Sequence, residues 1–525
     1  MAGASGSTGS GAGGGGGAAG EGGALGSGGA GRGGSAGVAG SSGGSGGGSA
    51  GTGGSGGSSG SGGGGGRGGS GGSGGSGGRG GSGGSGGGGR GGSGGSAGTG
   101  GGGGGGSGGS AGTGGSGGGG SGGSGGSAGS LHVTSSRAFP NFQGSPLLVV
   151  VDSQDTAVVV GPSAASDTDD PGPTATWIPR QGSPHSKTFS NAITPSAIAV
   201  DPSRNLWMVG QLYRTVNFGG GPLAAVDTGY YLARFDTDGN LAFDRAVTRT
   251  GSPYIRGAVA DSQGNLYVVG GLMSTTGPST ASVFVTKFSP DGVELYNKEF
   301  AGQGTSASAA DVAVAASGVF IIGTFNAPVQ FGTTNLMPLG SSLDSGFVAS
   351  LAPDTGAVQW VLRFGGPIFD VGNSVEVTSA GAVRIGGLVS SDGSIGGAGF
   401  HATPDGSPFV AELTADGAGT WVRTIPSDGI VFAADTNIGG HTFAGGYVNG
   451  TTKQTFIYDV TGSNAMTPLQ TTITDDSNGV LFVAADRHGG VWATGDFKGA
   501  IDFGVGVLSA ADADTFGSFL VHLEP

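Results

Sequence analysis

Residues 197–247 read AIAVDPSRNLWMVGQLYRTVNFGGGPLAAVDTGYYLARFDTDGNLAFDRAV. AIAV is a short apolar run that stops at Asp201, and LWMVGQL from Leu206 to Leu212 is a second run of strand type. YYLARF at 230–235 alternates Tyr231, Ala233 and Phe235 with a more polar set, the period-2 pattern of a strand. LAFDRAV at 241–247 is a fourth run. Asp201-Pro-Ser-Arg-Asn205 separates the first two runs and Asp236-Thr-Asp-Gly-Asn240 the last two. Asp, Asn and Gly tolerate the left-handed backbone, and Asp or Asn can bond its own main chain, so both segments predict tight hairpin turns. The stretch therefore predicts one four-stranded antiparallel sheet.

The unit recurs. Aligned on the glycine ending the second run, the copies are AVVVG161, LWMVG210, LYVVG270, VFIIG323, AVRIG386, HTFAG445 and VWATG495, at intervals of 49, 60, 53, 63, 59 and 50 residues. The third strand repeats as SVFVTKF at 282, GFVASL at 346, PFVAEL at 408, TFIYDV at 455 and GSFLVHL at 517. Each interval suits one four-stranded sheet of a propeller. Seven copies predict an all-β, seven-bladed β-propeller over 131–525. The seventh copy ends at Pro525 without a fourth strand, and LHVTSSRAF at 131–139 has the character of the missing one. That N-terminal strand is expected to close the ring by completing the last blade, which leaves no open sheet edge.

AIAVDPSRNLWMVG followed by VNFGGGPL, and AVADSQGNLYVVG followed by VFVTKFSPDG, together resemble the seven-bladed propeller repeat (SBBP) of bacterial surface and secreted proteins. The FG element returns as VQFGTT at 329 and IDFGVG at 501, and the first copy lacks it. The resemblance implies a fold and an exported class of protein. It brings no catalytic signature.

Residues 1–130 are almost wholly Gly, Ser, Ala and Thr, and the first aromatic residue of the chain is Phe139. Such a segment has nothing to bury and is expected to be a disordered linker, a flexible stalk with a reach of roughly 60 Å. Its charges are Glu21, Arg32, Arg67, Arg79 and Arg90. Four isolated Arg-Gly-Gly sites without aromatics do not make an RNA-binding segment. The rest keeps 17 of the 21 basic and 34 of the 35 acidic side chains, a net charge of −17. That charge opposes nucleic acid and anionic lipid. There is no cysteine, hence no disulfide, thiolate metal site or lipidated cysteine. No apolar run has the length of a transmembrane segment. Nor does MAGASGSTGSG carry a signal-peptide pattern, which leaves two readings, a cytoplasmic protein or a true start upstream of Met1, and the Gly/Ser spacer before a propeller favours the second.

Candidate chemistry is sparse. Asp152, Asp201, Asp261 and Asp486 sit nine residues before the blade glycine and Asp435 sits ten before, so a carboxylate ring at the channel mouth is one reading. Caps of the first hairpin turns is the simpler one. Asp236-Thr-Asp-Gly-Asn240 resembles the start of a calcium loop but lacks its closing glutamate and flanking helices, and it reads as a turn. Trp360 and Trp421 are expected to pack between blades with their N–H on a carbonyl. His132, His185, His401, His441, His488 and His522 show no metal-ligand spacing. No residue is assigned a catalytic, cofactor-binding or metal-ligating role, and no cofactor is called for. The longer connections 213–229, 325–345, 389–407 and 498–516 share one face and are the expected place for a ligand site. The expectation is a monomeric, non-catalytic surface or secreted propeller, a binding, adhesion or protein-interaction scaffold for an unidentified protein or glycan. The alternative is a glycan hydrolase or lyase, using loop acids such as Asp227, Asp344, Asp392 and Asp512 on that face.

Overall fold

The computed structural model describes residues 132–140 and 147–525, except for 163–171, 190–191, 227, 340–343, 438, 461–467, 475–476, 478 and 511. The linker expected at 1–130 lies outside the described residues, apart from the pair Ser35 and Ala36, placed beside Ala258 and Gly257. The described residues form seven four-stranded antiparallel blades. Blade 1 runs Leu148–Val151, Ala157–Pro162, Pro173–Ile178 and His185–Thr188. Blade 2 runs Ala197–Val200, Leu206–Gln211, Gly229–Phe235 and Leu241–Thr248. Blades 3 to 6 repeat the order and begin at Ser252, Ala307, Val371 and Asp428. Blade 7 takes Gly479–Ala485, Val491–Lys498 and Phe516–Glu524 from the C-terminus. Its outer strand is His132–Pro140, paired antiparallel from His132 opposite Glu524 to Pro140 opposite Gly517. The ring is closed as the sequence predicts.

Both faces of a blade are buried. Tyr231, Ala233 and Phe235 pack toward blade 1, while Tyr230 and Leu232 pack toward blade 3 with Ile255 and Phe284. The period-2 alternation in YYLARF therefore marks two apolar interfaces and no wet side. Such layers between sheets, each worth roughly 25 cal/mol per Å² of apolar surface buried, hold the ring together.

The repeated glycine has a steric cause. A Cβ on Gly323 would meet the Ser308 carbonyl oxygen at 1.9 Å, and one on Gly495 would meet that of Gly479 at 1.8 Å. In both blades the innermost strand shifts register beside this glycine and brings its backbone close. In blades 5 and 6 the residues in this position are Gly387 and Gly446, against the carbonyls of Val371 and Ile430. They stand one residue after the glycines that the sequence pattern aligns.

Facing that glycine on the third strand is an aromatic ring: Tyr231 opposite Gly210, Phe347 opposite Gly323 and Phe519 opposite Gly495. The phenylalanine of each FG element covers this ring, Phe218 at 4.8 Å from Tyr231, Phe331 at 5.1 Å from Phe347 and Phe503 at 4.8 Å from Phe519. The long connections consequently fold into short ribbons. Val329–Phe331 pairs with Thr334–Leu336, Gly393–Ile395 with Ala398–Phe400, and Ala500–Asp502 with Val507–Ser509. Their apolar sides are buried, which removes much of the open loop surface expected for a ligand.

Candidate functional site: a cleft over blade 4

The turn between first and second strands is built alike in most blades. Asp152, Asp201, Asp261 and Asp486 each accept main-chain N–H bonds from two and four, or only four, residues ahead. Thr378 and Asn437 take the same place in blades 5 and 6. Asp435 stands two residues earlier, and its carboxylate accepts the Ala485 N–H of blade 7 at 2.8 Å. It ties two inner strands together and does not belong with the turn acids.

The other carboxylate oxygen of each turn acid faces a basic side chain. Arg234 reaches Asp201 at 2.5 Å while lying over Trp207, and His522 reaches Asp486 at 3.1 Å while stacked on Trp492. In blade 3, Lys287 lies over Tyr267, 3.6 Å from Asp261. Arg234 and Lys287 also donate to a carbonyl in the outer turn of the next blade, Pro290 at 3.3 Å and Pro353 at 3.1 Å. This acid, ring and base repeat was missed in the sequence. Its signal was present in the third strands, where Arg234, Lys287 and His522 occupy one aligned position.

A second bridge runs backward around the ring. Arg204 and Asp155 hold the same turn position with φ of 67° and 58°, unusual for side chains larger than glycine. Arg204 of blade 2 reaches Asp152 of blade 1 at 2.6 Å. Asp155 of blade 1 accepts the Arg487 N–H of blade 7 at 2.8 Å and pairs with His488 at 3.0 Å.

Blade 4 breaks both patterns. Ala315 replaces the turn acid, Ser350 replaces the base, and Ala315 pairs directly with Gly318. The hairpin is one residue shorter than that of blade 3, and the position held elsewhere by Arg204 or Asp155 is gone. What remains is a cleft of about 540 Å³, lined by Asp261, Gln263, Tyr267 and Lys287 of blade 3, by Ala313 to Ala316, Pro353 and Asp354 of blade 4, and by Val377 and Thr378 of blade 5. On its floor the Tyr267 hydroxyl donates to Asp261 at 3.2 Å. Burial, with Asp261 adding to it, pushes this hydroxyl far above the ordinary phenol range, so it stays a donor. The cleft opens on the tight-turn face, opposite the one expected to carry a site.

The acids expected on the long-loop face serve local structure. Asp392 pairs with His401 at 3.0 Å and accepts the Ala402 N–H, and Asp512 accepts the Asp514 N–H in its own turn. Asp344 is half-buried, and burial pushes its carboxyl up. These three stand on blades 5, 7 and 4, and Asp227 lies outside the described residues. Asp236 accepts N–H bonds from Asp238 and Asn240, so the calcium-loop resemblance is a turn. Among the described residues there is no group of three or more His, Asp or Glu poised for a metal. Trp360 Nε1 donates to Ala415 of blade 5 at 2.9 Å, as expected, and Trp421 lies between Arg384 and Arg423.

No family model matches the chain, and no curated protein matches it. Among solved structures, the Pan2 WD40 domain of Neurospora crassa is similar at 12% identity, covering 75% of this chain and 95% of that one with a TM-score of 0.39. A protein of unknown function from Dyadobacter fermentans covers 76% and 100% at 10% identity and a TM-score of 0.35. The quinohemoprotein alcohol dehydrogenase of Comamonas testosteroni covers 75% and 76% at 10% identity and 0.36. Likeness at this level carries no functional argument; the fold of this chain is a seven-bladed β-propeller.

Proposed function

We propose that this chain is a non-catalytic interaction scaffold of the bacterial surface or secreted class, a rigid ring on a Gly/Ser-rich stalk that meets a partner protein at its tight-turn face. One observation carries the reading. In six blades the turn position is capped from within, whereas at blade 4 the cap is absent and a cleft of about 540 Å³, polar over nearly half of its lining, stands open. A concave site on which fixed polar groups converge beside apolar wall is a usual form of a binding site. The SBBP-like repeat and the spacer composition support export.

The test compares the wild-type chain with an Ala316→Trp variant that fills the cleft from an exposed position. Both are immobilised and exposed to surface and secreted proteins of the native host. A protein retained by the wild type and lost from a variant of unchanged melting temperature supports the scaffold reading at this face. Equal retention by both overturns it. Fractionation of the host with N-terminal sequencing tests the compartment.

A further inference from the structure

We infer that Arg384 is a two-position switch, bound to Glu412 while Glu376 carries a proton and drawn to Glu376 when that proton leaves for solvent. The device lies between blades 5 and 6 and does not depend on a partner at the cleft. Three strands of blade 5 set up the choice. Glu376 on Val371–Val377 stands directly opposite Arg384 on Val383–Val389, and Arg384 stands directly opposite Glu412 on Ser407–Leu413. Opposed residues on neighbouring strands share one face of a sheet, so the guanidinium is placed between two acids.

The structure holds the arginine on the outer acid. Arg384 Nε and Nη2 each lie 3.0 Å from Glu412 Oε2. Nη1 donates to the Gly440 carbonyl at 3.1 Å and to the hydroxyls of Thr442 and, at 3.4 Å, Thr436. The same two hydroxyls are bonded to Glu376 Oε1, so one hydroxyl separates the guanidinium from the inner acid.

Glu376 is surrounded as a neutral acid would be. It is 1% exposed, and its Oε2 has no hydrogen-bond partner among the described residues. A buried carboxylate calls for donors on both oxygens, and burial pushes this carboxyl up to about 7. The charged groups around it leave Arg384 as the source of the missing donor. Asp311 of blade 4 is an acid, itself pushed up by burial and by the charge of Glu376. Asp435 of blade 6 is an acid that accepts the Thr436 and Ala485 N–H groups. His441, beside Thr442, is paired with Asp459 at 2.8 Å. Glu412 can release the arginine with little loss, because it is partly exposed and keeps the Thr420 hydroxyl at 3.0 Å.

NMR of the full chain, labelled with ¹⁵N at arginine, tests the switch through the Arg384 Nε–Hε signal, assigned by its loss in Arg384→Lys. In the wild type this signal should move between about pH 5.5 and about pH 8.5, with its midpoint at about 7. In Glu376→Gln it should keep its low-pH position throughout. Thermal melts give a second reading. Glu412→Gln should lower the melting temperature at least about two-fold more at about pH 5.5, where Arg384 holds Glu412, than at about pH 8.5. In the Glu376→Gln background the two losses should be equal. A wild-type signal that stays put, one that moves equally in Glu376→Gln, or a Glu412→Gln loss that is the same at both pH values would overturn the switch.

Discussion

Thr134 Oγ1 lies 3.0 Å from His522 Nδ1, although 388 residues separate them in the chain. The same hydroxyl donates to the His522 carbonyl at 3.1 Å. His522 in turn places its Nε2 3.1 Å from Asp486, so one imidazole joins the closing strand, the third strand and the innermost turn of blade 7.

This seam makes the closing strand essential to the ring. Without His132–Pro140, the strand Phe516–Glu524 would become an open edge with unpaired backbone groups. A chain beginning at about residue 145 should unfold at lower temperature or aggregate, while one beginning at about 129 should melt with the full-length chain. Scanning calorimetry of the three lengths checks it. A large loss in the chain starting near 129 would mean that the glycine-rich stretch stabilises the propeller.

Blade count, strand order and closure were legible because each rests on a local pattern that repeats: a turn acid, a glycine and two apolar runs. Two kinds of feature were not. The first is register where two glycines adjoin. Gly386 and Gly387 look equivalent in sequence, and only the approach of the Val371 carbonyl identifies the second as the one that admits no side chain. The same ambiguity at Gly445 and Gly446 made Asp435 look like a turn acid, when Asn437 holds that place. The second is partnership across blades. Arg204 looks like any polar turn residue until the preceding blade sets Asp152 beside it. The cleft itself is a one-residue shortening at Ala315 to Gly318, readable only against the register of the other turns.

The FG ribbons carry stability and are expected to be poor places to graft. Phe331 is fully buried, 4.6 Å from the Phe300 ring and 5.1 Å from Phe347. Phe331→Ala should cost about 3–5 kcal/mol, the usual result of truncating a buried aromatic. Val507→Ser, on an exposed side of the blade 7 ribbon, should change stability by less than about 0.5 kcal/mol. Denaturant melts of both variants check the contrast, and a small effect at Phe331 would return these connections to the status of open loops.

Arg204 should matter more than a surface arginine does. Its partner Asp152 is buried, so removing the guanidinium leaves a carboxylate with main-chain donors but no countercharge. Breaking a buried pair costs about 3–5 kcal/mol, and the partial exposure of Arg204 screens that to about 1–3 kcal/mol. Arg204→Ala should lower the melting temperature accordingly. In a double-mutant cycle with Asp152→Asn the coupling should be positive. Additive losses would show that the seam is held by packing alone.

The buried acid of blade 5 predicts an unusual pH dependence. Glu376 is buried; burial pushes its carboxyl from an ordinary value of 4.5 up to about 7, against the opposing pull of Thr436, Arg384 and Thr442. Its Oε2 has no hydrogen-bond partner among the described residues. Because the folded chain holds this proton more tightly than the unfolded chain, it binds more protons between those two values. The contribution to stability is therefore complete below the lower value and is lost as pH rises through about 7. Asp370, pushed up to about 6 by burial, adds in the same direction, as does Asp311, whose carboxylate accepts the Val375 N–H of the next blade at 2.9 Å. The wild-type melting temperature should fall between about pH 5 and about pH 8, the reverse of a protein whose carboxylates are paired. Glu376→Gln keeps the size and removes the titration, so its melting temperature should decline less over the same interval, with a residual slope from the two aspartates. Parallel wild-type and variant curves would show that Glu376 is ionised throughout, held by Arg384.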